Sequence, residues 1–421
     1  MYRSHLVQSL LHLYPLALIV PLSAGCAAEP TCHDLRNCPL DRDAERTNDA
    51  FVSEDGHFDT GPGADRGPTD GADAGGPTDD AIRPDGTTGA RDATVERDAS
   101  TSCDRDCRGG PCVDGRCQPV KLGSLPNTNV TDLAVDSSNI YWLWETWDVK
   151  QRGISKCPIS GCGNSSPTEL WTGPGTTVND RRFAVDAQFL YWTSREDKTL
   201  LSCGLSGCNH VPSVLISNEI IFSAAVSGPI LSWINVSGEV VRCASSSCAA
   251  TRTPLVTGAM SLDSIFADQL NVYYDDGGAL KKCAIAGCSN APSTIVHDRA
   301  GSVRSDGESI YWIHGSSYVL ATNSYASDGS VKTCSIAGCN DSPTVLASGL
   351  TGPQGLTIDD SALYWWAADL TGPGTVTTAL KDGSHVRSLA EGQKSPLVAR
   401  VVVDANLVYW GAGDAIMKVA K

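Results

Sequence analysis

Five times in this chain a cysteine is followed five residues later by another: Cys157/Cys162, Cys203/Cys208, Cys243/Cys248, Cys283/Cys288 and Cys334/Cys339. Paired thiols ligate metals, exchange redox equivalents or form structural disulfides. Five fully extended steps cover roughly 17 Å, whereas a disulfide needs Cα atoms about 4.4–6.8 Å apart, so the chain must reverse between the two. Gly161, Gly207, Gly287 and Gly338 each stand directly before the second cysteine and suit a turn with positive φ, with Ser247 the exception. The spacing predicts five disulfide-clipped turns, each pinning the rim of its own unit, with bridges between neighbouring units as the alternative. Four further cysteines, Cys103, Cys107, Cys112 and Cys117, fall within fifteen residues. So short a segment has no core of its own and must be cross-linked; zinc is the rival, but the spacing is not paired C-x2-C.

The compartment follows from the N-terminus. Residues 13–24 are an apolar run too short and too proline-broken for a comfortable membrane span. The run ends in Leu22-Ser23-Ala24-Gly25-Cys26, which resembles a bacterial lipobox, with Ser23 where the motif usually has Leu. The resemblance implies a signal peptide over 1–25, a diacylated Cys26 and, with Ala27 next, an outer-membrane or cell-surface lipoprotein. Ordinary signal cleavage near Ala28, with loss of Cys26, is the alternative. The chain has 17 cysteines, so setting Cys26 aside leaves an even number; export and parity both favour disulfides. Residues 26–40 carry Cys32 and Cys38, close enough to close a small loop.

Residues 41–102 hold 16 Asp and Glu against 6 Arg and no Lys, which is most of the formal charge of −16. This stretch of Gly, Pro, Asp and Thr has too little apolar surface to offset its ordering entropy and reads as a disordered tether of roughly 45 Å average span. The rest is only mildly acidic. Nucleic acid is excluded as a partner, because phosphate binding needs clustered Lys and Arg.

Over 118–421 one pattern recurs seven times: an apolar strand, an Asp, a few polar residues, then an apolar-Tyr-Trp strand. The pairs are Asp136/Tyr141, Asp186/Tyr191, Ser227/Ser232, Asp268/Tyr273, Asp306/Tyr311, Asp359/Tyr364 and Asp404/Tyr409, always five apart. A third strand, five times ending in Cys-x4-Cys, and a fourth apolar stretch complete a four-stranded unit. Units of this length predict a seven-bladed β-propeller, with six blades as the alternative. The seventh copy stops after its third strand, and Val120–Leu125 is the donor expected to complete it and close the ring. The Asp is expected to accept backbone N–H bonds at the turn, an ability Ser227 would keep. The Tyr-Trp pair is expected to pack toward the two neighbouring blades.

At Tyr191-Trp192-Thr193-Ser194 the chain is similar to the YWTD class of propellers, which usually have six blades. Gly109–Cys117 resembles the second part of an EGF-like knot. Lipobox, acidic linker, cysteine cluster and cysteine-bearing propeller together resemble surface lipoproteins of myxobacteria, which implies location and architecture without an activity.

No G-x-S-x-G, H-E-x-x-H or histidine cluster is present. Asp132, Arg181, Arg182, Asp263 and Arg400 lie near the entrances of first strands and are the candidates for a channel mouth. No metal or cofactor is expected, and a monomer is. The reading is a tethered module for a protein, peptide or polysaccharide ligand. A propeller enzyme of lactonase, lyase or glycosidase type and a purely structural surface protein are the alternatives. Metabolic labelling with a palmitate analogue is expected to mark the wild type and not Cys26→Ala; equal labelling of both would refute the anchor.

Overall fold

The computed structural model describes residues 103–421 apart from 104–105, 149, 164, 176–182, 261–263, 371 and 396–399. Cys26, Cys32, Cys38 and the linker 41–102 lie outside the described residues. The described chain is a seven-bladed propeller of four-stranded antiparallel sheets. Blades 1 to 6 span 128–174, 183–216, 221–256, 265–296, 301–350 and 353–393. Blade 7 takes its first three strands from 401–420 and its fourth from Val120–Ser124, which pairs antiparallel with Ala415–Ala420. Each first strand touches the first strands of both neighbours, so seven first strands ring the axis.

The seam is sealed from two sides. Leu122, at the irregularity in the closing strand, is buried, and its carbonyl accepts the Cys162 N–H of blade 1. The short cysteine segment, bridged Cys103–Cys112 and Cys107–Cys117, packs Cys117 into the core shared by blades 7 and 1. Its Arg108 donates to the Asn406 side chain.

Between blades, the Tyr of one meets the Trp of the next. Tyr141 shares a core with Trp192, Tyr191 with Trp233, Tyr273 with Trp312 and Tyr311 with Trp365; Tyr364 and Tyr409 join the core holding Trp410 and Trp142. The alternation along a strand sends the two aromatics to opposite sides, and large rings supply most of the apolar area at each junction.

The Tyr hydroxyl has a second role that packing alone does not reveal. Asp136 Oδ1 accepts the N–H groups of Ser138 and Asn139 at 2.7 Å each, and its Oδ2 accepts the Tyr141 hydroxyl at 2.8 Å. The same three bonds surround Asp186, Asp268, Asp306, Asp359 and Asp404. Burial first, and then the neighbouring carboxylate, pushes the phenols of Tyr273 and Tyr311 up to about 12. Blade 3 corrects the expectation for Ser227. Two residues on stands Pro229, which has no N–H to donate, and no bond from the Ser227 side chain holds the turn among the described residues. Gly228, at φ +54°, and the proline's fixed φ shape that turn instead.

Disulfides close all five Cys-x4-Cys loops: Cys157–Cys162, Cys203–Cys208, Cys243–Cys248, Cys283–Cys288 and Cys334–Cys339, with Cα separations of 4.8–5.6 Å. Every bridge lies within one blade, and none of the five joins neighbours. Gly161, Gly207, Gly287 and Gly338 take φ of +107° to +124°. At Ser247 the loop winds through a short helical turn, Ser245–Ser247 and Cys248–Thr251, and needs no left-handed residue. Each bridge stays within its own blade, and the second sulfur also meets the preceding blade, as Cys208 and Cys339 illustrate. Their partners Cys203 and Cys334 are buried, whereas Cys208 and Cys339 are half-buried and lean on the preceding blade. Cys208 packs against the core holding Leu170 of blade 1, and Cys339 against the core holding Ile295 of blade 4. The reason is geometric: the reversal after the third strand carries the second sulfur out of its own sheet and over the junction.

These loops also latch blades together through hydrogen bonds. Lys156, Lys282 and Lys418 stand opposite the Tyr on the third strands of blades 1, 4 and 7. Each donates to the carbonyl two residues beyond the first cysteine of the next blade's loop: Leu205, Ile336 and Ile159. Blades 6 and 7 lack the cysteines and carry Lys381 and Lys421 at the position matching that carbonyl. These lysines reach back to Asp306 and Asp359 of the preceding blades.

Leu122→Ala is expected to cost about 2–4 kcal/mol, read by thermal or denaturant unfolding, because it empties a buried site in the closing strand. Exposed Leu270 is the control, with Leu270→Ala changing stability by less than about 0.5 kcal/mol. Equal effects of the two would show that the closing strand bears no load.

Candidate functional site

Up-and-down strands give the disc two unlike faces. Turns between first and second strands, and between third and fourth, lie on one face, which carries the Asp clamps and the disulfide loops. Turns between second and third strands, and the connections from one blade to the next, lie on the other. This second face, which carries a hairpin inserted in blade 5, is here called the loop face.

Asp132 and Arg400 are brought together at its inner edge. Arg400 Nη1 lies 2.8 and 2.9 Å from the two Asp132 oxygens and 3.0 Å from the Phe183 carbonyl. Asp132 also accepts the N–H groups of Leu133 and Phe183. One carboxylate, 2 % exposed, thus ties the first strands of blades 7, 1 and 2. It is saturated, so what reaches the surface is the Arg400 side chain, 29 % exposed. Arg181, Arg182 and Asp263 lie outside the described residues.

Three more polar clusters were not legible as sites. Buried Arg152 of blade 1 donates to Ser194 and Asp197 of blade 2, at 3.0 and 3.1 Å. In blade 3, Glu219 accepts Trp233 Nε1, Asn235 Nδ2 and the Arg252 guanidinium, which also binds Glu239 at 2.7 Å. In blade 5, Asp298 accepts from Trp312 Nε1 at 3.0 Å and Lys332 Nζ at 2.9 Å, and pairs with His314 Nδ1 at 2.6 Å. Burial pushes the Asp298 carboxyl up, but the His314, Lys332 and Trp312 bonds together outweigh it and hold it at about 2. A signal existed: Glu219 and Asp298 each stand fourteen residues before the Trp they accept from.

The loop face also exposes apolar side chains: Trp147, Met260, Leu320 and Leu370. Lys394 Nζ sits 5.6 Å from the Trp147 ring centroid, a cation–π pair. Blade 5 adds a hairpin between its second and third strands, Tyr318–Val319 paired with Ser324–Tyr325, and the Tyr325 N–H donates to Asp369 of blade 6. The opposite face also exposes Val211, Leu270 and Val386, but on the repeated turns.

Among the described residues, Cys103, Cys107 and Cys112 place their sulfurs within 4.8 Å of one another. All three are in disulfides, and a bridged sulfur offers no thiolate to a metal.

No protein-family model and no curated protein matches the sequence. Solved structures do match in fold. A streptogramin B lyase aligns with a TM-score of 0.53 at 8% identity, over 72% of this chain and 96% of its own. Virginiamycin B lyase from Staphylococcus aureus gives 0.52 at 9% identity, over 72% and 98%. U3-55K gives 0.50 at 12%, over 72% and 98%. Proteins of such different names share the propeller alone, and at these identities the likeness shows the fold and not an activity.

The carboxyl of Asp298 is held below its ordinary value, so its contribution is full above about pH 4 and is lost as pH falls through about 2. Asp298→Asn is expected to lower stability at pH 7 by about 1–2 kcal/mol and to flatten the acid limb of the stability–pH curve. An unchanged acid limb would show that the cluster contributes nothing.

Proposed function

We propose that this chain is an exported, lipid-anchored binding module that presents the loop face of its propeller to a protein, peptide or polysaccharide. One observation carries the reading. The Asp, Tyr, Trp and Cys that repeat are spent on holding the disc together, while the loop face carries side chains that do not repeat, exposed Trp147 foremost. Rigid scaffolds carrying variable loops are the usual architecture of recognition, and exposed Trp is a common anchor at binding surfaces. The charged clusters on that face support the same reading, since their carboxylates are already bonded to Arg, Lys or His and fix loop shape.

The full-length protein is to be screened against glycan arrays and envelope proteins. Capture of a ligand is expected, with affinity falling at least about tenfold in Trp147→Ala and unchanged in Leu270→Ala on the opposite face. Equal loss in both variants, or turnover of a lactone or glycoside without ligand capture, would overturn the proposal.

A further inference from the structure

One blade junction departs from the other six. Between blades 3 and 4 the tyrosine of the seam is replaced by Ser232, and the tryptophan that would meet it by Tyr274. The third-strand residue opposite Ser232 is Arg242. Three buried polar atoms on these residues, Ser232 Oγ, Arg242 Nε and Tyr274 OH, have no hydrogen-bond partner. Ser232 is 0 % exposed. Buried polar groups are nearly always paired, so three orphans on one junction call for an explanation. The latch is missing too, as it is between blades 2 and 3, where Ser202 stands opposite Tyr191. Where Lys156, Lys282 and Lys418 bond to the next blade's loop, Arg242 makes no side-chain hydrogen bond or ion pair among the described residues.

A cleft of about 240 Å³ opens at this junction, lined by Arg242, Thr253, Leu255 and Thr257 of blade 3 and by Cys288 and Asn290 of blade 4. We infer that the cleft between blades 3 and 4 is a binding site for a carboxylate, held by the Arg242 guanidinium. The missing charge defines the ligand. At the junctions of blades 5 with 6 and 6 with 7, the cation is met by the turn Asp, Asp306 or Asp359. Those cations, Lys381 and Lys421, come from the following blade, whereas Arg242 stands on blade 3's own third strand and lines the cleft; with Ser227 in place of the turn Asp, it has no carboxylate partner among the described residues. The planar guanidinium fork matches a carboxylate in two parallel bonds, and here its buried Nε stands without an acceptor. One cation suits a monoanionic group better than a phosphate. The volume is below that of drug-sized pockets and fits a small organic acid or one Asp or Glu side chain of a peptide.

Calorimetric titration of the full-length protein with succinate, with the peptide acetyl-Gly-Glu-Gly-amide and with inorganic phosphate, at matched ionic strength, tests this. Saturable one-site binding of succinate or the peptide is expected, and which of them binds identifies the source of the carboxylate. Arg242→Gln is expected to weaken it at least tenfold. Ala286→Trp, on the exposed loop that walls the cleft, is expected to abolish it with Arg242 intact, which keeps the test valid if Arg242→Gln misfolds. The assignment is overturned if neither carboxylate binds, if phosphate binds as well as they do, or if Ala286→Trp binds like the wild type.

Discussion

A sheet that turns through a full circle keeps two open edges unless its last blade takes a strand from the beginning of the chain. Here Val120–Ser124 does so, and the pairing with Ala415–Ala420 gives blade 7 the four strands of every other blade, so its third strand is not left as an edge. The rest of the disc depends on that contact, because every other junction is held between two neighbours already in place. The seam is accordingly the most reinforced. It has the Leu122–Cys162 backbone bond, the Lys418 contacts to Ile159 and Ser160, and the disulfide knot packed over it.

At five of the seven junctions the same problem, joining one blade to the next, is solved in interchangeable ways. A disulfide loop offers a carbonyl to a lysine, or a lysine in the loop's place reaches a turn aspartate. Both put a long cation across the junction, and both satisfy a buried polar group that would otherwise be costly. The equivalence explains why blades 6 and 7 dispense with cysteines while keeping the strands. It also shows why blade 3 stands apart: it keeps the disulfide, loses the turn Asp and the Tyr, and leaves its cation unmet.

Strand number, blade number and closure were legible because they follow from period-two burial, the fixed Asp-to-Tyr interval and a strand count that came out one short. The disulfide turns were legible from distance alone, but not the lean of Cys208 and Cys339 onto the preceding blade, which depends on where the reversed chain comes to rest. The Asp–Tyr hydrogen bond was written in the same interval, yet a Tyr in an apolar strand reads first as packing. Ser227 was misjudged because its bonding capacity depends on a partner, and the partner position is a proline. The polar clusters were hardest. Arg152 with Asp197 and Asp132 with Arg400 join residues distant in sequence, and only the circular order of blades makes them neighbours. No pattern within one repeat encodes a contact between two.

The closing strand has a consequence for how the chain reaches this state. Made from its N-terminus, the chain brings out Val120–Ser124 before any blade and its partner Ala415–Ala420 after the rest of the propeller. The segment must wait through six blades with Leu122 uncovered, and long-range pairing of this kind is slow and open to misassembly. The clipped turns can close without any other blade in place, since each bridge spans five residues. Local cross-links early and ring closure at the end describe an order of assembly. On that order the export proposed for this chain would serve the half-made protein as much as the finished disc.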